Sequence, residues 1–265
     1  MEKINYLIAA ASHRSPRPQT EFSVTGKDIL RLHLKKLSET DTSMLSQVTL
    51  LRIFKGGCPE LCVGDYWDVQ MELEDIGCPY VIIDIEHECL SYGAWIRAVE
   101  MFGDSFDYYI LIEDDYYPEL HSFVEVLLNL HKTILPGGGY LSSLAANGWA
   151  AISNGIVDSK SFLEALNVVS DPVKFVSANP QINFSYLFAP KIDDYTDYYR
   201  SLFLRYTDTI LWEECHDTNI NVSKDIFNPI EFLVQEGKTF KKNRWDKIVW
   251  DKKLMDCINK TLAGE

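Results

Sequence analysis

The sequence predicts an α/β fold with a mainly parallel sheet covered by helices on both faces. Three observations predict it. The strand candidates are unbroken apolar runs rather than apolar/polar alternations, as in strands buried on both faces. Strand and helix patterns alternate four times before residue 118, which is the signature of parallel βα units. One run ends in three consecutive carboxylates, Glu113-Asp114-Asp115. That concentrates charge at the carboxyl rim of the sheet, where open α/β folds bind ligands.

Tyr6 to Ala11 is the first run, and it breaks into the polar loop Ser12-His13-Arg14-Ser15-Pro16-Arg17-Pro18. His13, Arg14 and Arg17 therefore follow the carboxyl end of a buried strand, in position to meet a nucleotide base or phosphate; the alternative is an exposed basic loop. Asp28 to Leu37 reads as a helix with Ile29, Leu30, Leu34 and Leu37 on one face. Val48 to Phe54 is a second strand. Tyr66, Val69, Leu73 and Ile76 recur at helical spacing before Gly77, a natural stop. Pro79 to Glu86 is a third strand. A helix from Ser91 to about Phe102 ends at Gly103, and Asp107 to Ile112 is the fourth strand.

Helical pattern resumes after Pro118 and stops before Pro136-Gly137-Gly138-Gly139. Tyr140 to Ala145 and Trp149 to Val157 read as strands, with Asn147-Gly148 and Asn154-Gly155 as turn signals. Ser159 is the expected cap of a helix reaching about Leu166. Helices are also expected around 181–188, 194–206 and 245–262, giving a helical C-terminal region. Residues 1–265 thus read as one domain, with a nucleotide-sugar-binding half over 1–135 and an acceptor-binding half over 136–265.

Composition narrows the function classes. The 39 acidic against 25 basic residues give a formal net charge of -14, and no basic block interrupts them. The electrostatic footprint of a nucleic-acid binder is missing. An acidic protein that handles phosphates must neutralise them locally, and a divalent cation does so most directly. The six cysteines form no paired CxxC sets, so reduced thiols and a cytoplasmic location are expected. No transmembrane segment is expected, since no apolar run approaches the ~20 residues that span a bilayer.

The acidic rim carries the chemistry. Adjacent carboxylates repel one another unless a cation or protons intervene. Side chains two apart on an extended chain point the same way, so Glu113 and Asp115 can face one ligand together. Hard oxygen donors suit Mg²⁺ or Mn²⁺ held between carboxylates and substrate phosphates. The alternative is a solvated acidic turn.

The stretch Gly93-Ala94-Trp95-Ile96-Arg97-Ala98, Gly103, then Tyr108-Tyr109-Ile110-Leu111-Ile112-Glu113-Asp114-Asp115 resembles the glycosyltransferases of the GT-A fold, a Rossmann-like mixed sheet. It is most similar to inverting family 2, with its Gly-x-x-x-Ala-Arg-Asn-like helix, apolar strand and Asp-x-Asp-type motif. The resemblance is clearest over 79–118 and extends over 4–166. Here Glu113 stands for the usual first Asp, and Val99 follows Ala98 where Asn is common.

The resemblance implies a metal-dependent hexosyl- or deoxyhexosyltransferase with a UDP- or GDP-type donor and a glycan or glycoconjugate acceptor. It implies that Ala11, Ser12, His13 and Arg14 contact the nucleotide, with Asp84 near the base and Arg97 near the diphosphate. Glu113 and Asp115 would flank metal and ribose, Asp115 as main metal ligand and Asp114 in support. It also implies an acid, about a hundred residues past the metal motif, that takes the acceptor proton. Trp212-Glu213-Glu214 and Asp217 fall at that distance, making Glu214 or Glu213 the candidate base and Asp217 the reserve. His216 is a further metal contact to consider. Trp149 and Trp212 are candidate platforms for the apolar face of an acceptor sugar, with core packing as the alternative. Sugar-phosphate nucleotidyl transfer is the competing activity, but its Gly-x-Gly-x-Arg loop is absent after Ala11. A non-catalytic nucleotide-sugar or glycan-binding module is the third reading.

Overall fold

The computed structural model describes residues 2–11, 26–54, 69–86, 89–114, 116–118, 120–142, 154–178, 180–188 and 227–229. The expected α/β sheet is there. Strands β1 (Ile4–Ala11), β2 (Leu45–Phe54), β3 (Tyr80–Glu86) and β4 (Tyr108–Glu113) are mutually parallel. Strand β7 (Gly155–Asp158) runs antiparallel to β4, and β6 (Tyr140–Ser142) antiparallel to β7. The six-stranded order is β3-β2-β1-β4-β7-β6, a mixed, mainly parallel, Rossmann-like sheet.

Helix α1 (Gly26–Ser38) buries Leu30, Leu34 and Leu37, the face its sequence spacing predicts. It also buries His33, whose Nε2 lies 3.1 Å from the Tyr6 hydroxyl. Tyr6 meets Phe123 of α4 (Phe123–Ile134) edge-on, so α1 and α4 cover one side of the sheet at β1. Helix α3 (Leu90–Phe102) packs on β1 and β2. Burial on both sides explains why β1 is mostly apolar, with Ile4, Tyr6, Leu7 and Ile8 all fully buried; the one polar residue, Asn5, is buried too and accepts from the Thr49 hydroxyl.

A short helix, α2 (Gln70–Glu74), lies between β2 and β3. Gly77 beyond it and Gly103 at the end of α3 adopt φ of 72° and 57°, a conformation that costs glycine little. Gly103 is the expected stop of α3, whereas α2 ends before Gly77, at Glu74 with Asp75 as its C-cap.

Helix α5 (Ser159–Leu166) starts where predicted, but Ser159 is not its cap. The Ser159 hydroxyl donates instead to the Gly103 carbonyl at 3.0 Å. Asp158 takes the role, its Oδ1 accepting the Ser161 N–H at 2.8 Å and its Oδ2 the Gly139 N–H at 2.6 Å. One carboxylate thus closes a helix and pins the glycine loop before β6. Asp158→Ala is expected to cost about 1–2 kcal/mol, to be checked by urea denaturation. An unchanged midpoint would show that the cap is dispensable.

Two further helices, α6 (Pro172–Ala178) and α7 (Pro180–Leu187), complete the side of α3. Residues 181–188 were expected to be helical; α6 was not predicted. A separate ribbon pairs β5 (Tyr116–Pro118) with β8 (Phe227–Pro229), antiparallel. The helices expected at 194–206 and 245–262 lie outside the described residues.

Candidate functional site

Strand β1 sits between β2 and β4. The chain leaves β1 on one side, builds β2 and β3, and returns to place β4 on the other. Such a reversal opens a crevice at the carboxyl ends of the two central strands. Glu113 ends β4 there, in register with Ala9 of β1. The next residue, Asp114, donates its N–H to the Ala9 carbonyl at 3.1 Å and has only 3% of its surface exposed. On the β1 side the wall is Ala9 and Ala10, small and buried.

Two residues remote in sequence hold Glu113. The Ser91 hydroxyl, in the first turn of α3, donates to Glu113 Oε1 at 2.6 Å. That is the short distance of a hydroxyl meeting a charged acceptor. The Glu113 N–H donates to Asn154 Oδ1 at 2.8 Å, and Asn154 is fully buried in the turn before β7. Side chain and backbone of the same acid are therefore anchored by two separate elements, the helix at Ser91 and the residue before β7. Neither Ser91 nor Asn154 was among the predicted site residues. Ser91 read only as a helix start and Asn154 only as half of a turn signal.

Tyr92 follows Ser91 and is nearly enclosed. Burial raises its phenol well above the ordinary tyrosine range, and the Glu113 charge, then Tyr116 and Cys89, push the same way. Tyr92 therefore stays a neutral phenol beside the carboxylate. Tyr116 and Tyr117 of β5 are also buried, and β8 pairs alongside them with Tyr116 opposite Pro229. A segment more than a hundred residues later thus reaches the strand that follows the acidic triplet.

The other predicted residues divide as follows. Ala11 is the last residue of β1. Asp84 lies near the carboxyl end of β3, two strands from β1, and forms a two-pronged ion pair with Arg52 of β2. Its distances are 2.6 Å from Nε to Oδ1 and 2.7 Å from Nη2 to Oδ2. Arg97 lies on the solvent side of α3 and pairs with Glu100 at 3.0 Å. It stands about 9 Å along the helix axis from Ser91, at 1.5 Å per residue. Ser12, His13, Arg14, Arg17, Asp115, Trp149, Trp212, Glu213, Glu214, His216 and Asp217 lie outside the described residues.

The donor set at the edge consists of hard carboxylate oxygens. Among the described residues no group of three or more His, Cys, Asp or Glu forms a ready metal cage. The edge fits an ion that takes one or two protein carboxylates and completes its shell with water and phosphate oxygens, as Mg²⁺ does. Among the described residues no helix is long and apolar enough to cross a membrane.

No protein-family model matches the chain, and no curated protein does. Solved structures with a similar fold include a candidate glucose-1-phosphate thymidylyltransferase from Bacillus anthracis in complex with sucrose. It is 12% identical over 70% of this chain and 82% of that one, with a TM-score of 0.43. A UDP-glucose pyrophosphorylase complexed with UDP-glucose is 13% identical over 63% and 80%, with a TM-score of 0.39. A cytidylyltransferase from Leptospira borgpetersenii serovar Hardjo-bovis is 14% identical over 68% and 72%, with a TM-score of 0.42. None of these likenesses is close enough to carry an activity to this chain.

Proposed function

We propose that the chain is a cation-dependent transferase acting on a nucleotide-diphosphate sugar, bound at the carboxyl ends of β1 and β4. One observation supports this above the rest: Glu113 stands at the reversal of strand order, with Ser91 and Asn154 holding it there. A solvated, idle acidic turn has no need of two anchors.

In this reading Glu113 and Asp115 hold Mn²⁺ or Mg²⁺ against the diphosphate. The bound ion supplies Lewis acidity that stabilises the departing diphosphate charge. The loop at Ser12, His13 and Arg14 holds the nucleotide, which is of UDP or GDP type. Asp114, by its bond to Ala9, keeps the two strand ends together.

The reaction we favour is inverting glycosyl transfer. The acceptor hydroxyl oxygen bonds to the anomeric carbon as the bond from that carbon to the diphosphate oxygen breaks. The bonding pair leaves with the diphosphate. The acceptor proton passes to a carboxylate, for which Glu214 or Glu213 is the candidate and Asp217 the reserve. Trp149 and Trp212 are the proposed platforms for a glycan acceptor.

Sugar-phosphate nucleotidyl transfer is the second reading; the first two solved structures above are named for a glucose-1-phosphate thymidylyltransferase and a UDP-glucose pyrophosphorylase. Against it stands the loop after Ala11, Ser12-His13-Arg14-Ser15, which has no glycine to let the backbone approach a triphosphate.

Two assays separate the readings. The first incubates UDP- and GDP-sugars with Mn²⁺ and scores release of nucleoside diphosphate. The second incubates nucleoside triphosphates with sugar 1-phosphates and scores pyrophosphate. Diphosphate release that Asp115→Ala abolishes is the expected result. Pyrophosphate release alone would replace glycosyl transfer with the second reading. Silence in both assays, with no donor bound, would remove the enzyme reading.

A further inference from the structure

Tyr92 brings an uncommitted hydroxyl to the acidic edge, and the inference drawn from it rests on the reading of that edge as a nucleotide-diphosphate site. Tyr92 is in the first turn of α3, one residue after Ser91, whose bond to Glu113 fixes this end of the helix at the carboxyl end of β4. Long side chains on a helix lean toward its N-terminus. The phenol of Tyr92 therefore leans toward the edge. Its surroundings agree, since the ionisable groups that act on the hydroxyl are Glu113, then Tyr116 of β5, then Cys89, the residue before α3.

The ring is held from behind. Trp95 meets it edge-on with centroids 5.4 Å apart, and Phe184 of α7 lies 5.0 Å away. Tyr92 is 6% exposed, and among the described residues its hydroxyl has no hydrogen-bond partner. A phenol this enclosed ordinarily has one. Burial and the neighbouring negative charge keep the group protonated, so it stands at the edge as a donor rather than as a further anion. Among the described side chains there, Glu113 and Asp114 are acids, and the Ser91 hydroxyl already donates to Glu113. A diphosphate offers acceptor oxygens, which is what an unspent donor requires.

We infer that the Tyr92 hydroxyl donates a hydrogen bond to a phosphate oxygen of the nucleotide diphosphate bound at this edge. The bond is charge-assisted, the stronger kind. The ring packing of Trp95 and Phe184 holds the donor in place before the ligand arrives, which lowers the ordering cost of binding.

The test is calorimetric titration of the full chain with UDP and with GDP in the presence of Mn²⁺, comparing wild type with Tyr92→Phe. The substitution removes one oxygen and keeps the ring. Affinity for whichever nucleotide the wild type binds is expected to fall about 10- to 100-fold, the range for a hydrogen bond to a charged group. The melting temperature of the ligand-free protein is expected to stay the same. Equal affinity in the two proteins would overturn this inference and leave the proposed function standing. Weaker binding together with a lowered melting temperature would make the hydroxyl structural, and would overturn it too. A wild type that binds neither nucleotide would overturn both.

Discussion

Glu113→Gln is expected to lower nucleotide-sugar turnover roughly 100- to 1,000-fold, the range seen when one preorganised electrostatic contact to the developing charge is lost. The substitution keeps the shape of the side chain. Its amide oxygen can still accept from Ser91, and its N–H still reaches Asn154. What disappears is the negative charge facing the crevice. The effect should fall on kcat/KM with little change in thermal stability, since Glu113 is only half-buried and its anchors survive. Kinetics with a donor sugar and a thermal melt check the two halves separately. Near wild-type turnover would take Glu113 out of the site, and a collapse of the melting temperature would make its role structural.

The second large effect is expected at Phe184. Its ring is fully buried in α7 and lies 5.0 Å from Tyr92, 5.9 Å from Trp95, 6.0 Å from Phe162 and 5.4 Å from Phe188, centroid to centroid. These partners come from α3, α5 and the residue just past α7, so this one side chain ties the later helices to the helix that carries Ser91. Phe184→Ala removes the ring and leaves a cavity that rigid neighbours fill poorly. A loss of about 3–5 kcal/mol is expected, read from chemical denaturation. Phe184→Leu should cost much less, because it retains most of the apolar volume. Equal midpoints for Phe184→Ala and the wild type would mean that α7 contributes nothing to the core. Tyr92 bridges this cluster and the acidic edge, so a folded Phe184→Ala protein should also lose some donor affinity.

Much of the sheet was legible because its central strands, β1 and β4, are buried over most of their length. A run such as Tyr6 to Ala11 needs no register or partner to be recognised, and the parallel order follows from its alternation with helices. Gly77 and Gly103 were legible for an equally local reason, their left-handed backbone. Other features depend on contacts distant in sequence. The three residues of β5, Tyr116-Tyr117-Pro118, look like the end of a turn after the acidic triplet, and only their pairing with Phe227–Pro229 makes them a strand. Helix α6 is seven residues long, too short to establish a period. Ser159 has the chemistry of a cap, but the Gly103 carbonyl captures its hydroxyl, and Asp158 next door caps the helix instead.

The candidate site divides along the same line. The place of Glu113 at the end of a buried strand was legible. The residues that hold it were not, because Ser91 lies 22 positions before it and Asn154 41 positions after. Each had a satisfactory local explanation, as a helix start and as a turn, and nothing in the chain couples either to Glu113. Arg97, expected near the diphosphate, lies on the exposed side of α3 beside Glu100.

A crystal of the full chain soaked with UDP or GDP and Mn²⁺ tests the central claim most directly, because the anomalous signal of manganese locates the ion without reference to the protein. The expected result is one manganese peak at coordination distance from Glu113 or Asp115, with the nucleotide diphosphate beside it between the carboxyl ends of β1 and β4. A nucleotide bound elsewhere, or a manganese peak with no contact to Glu113 or Asp115, would contradict it.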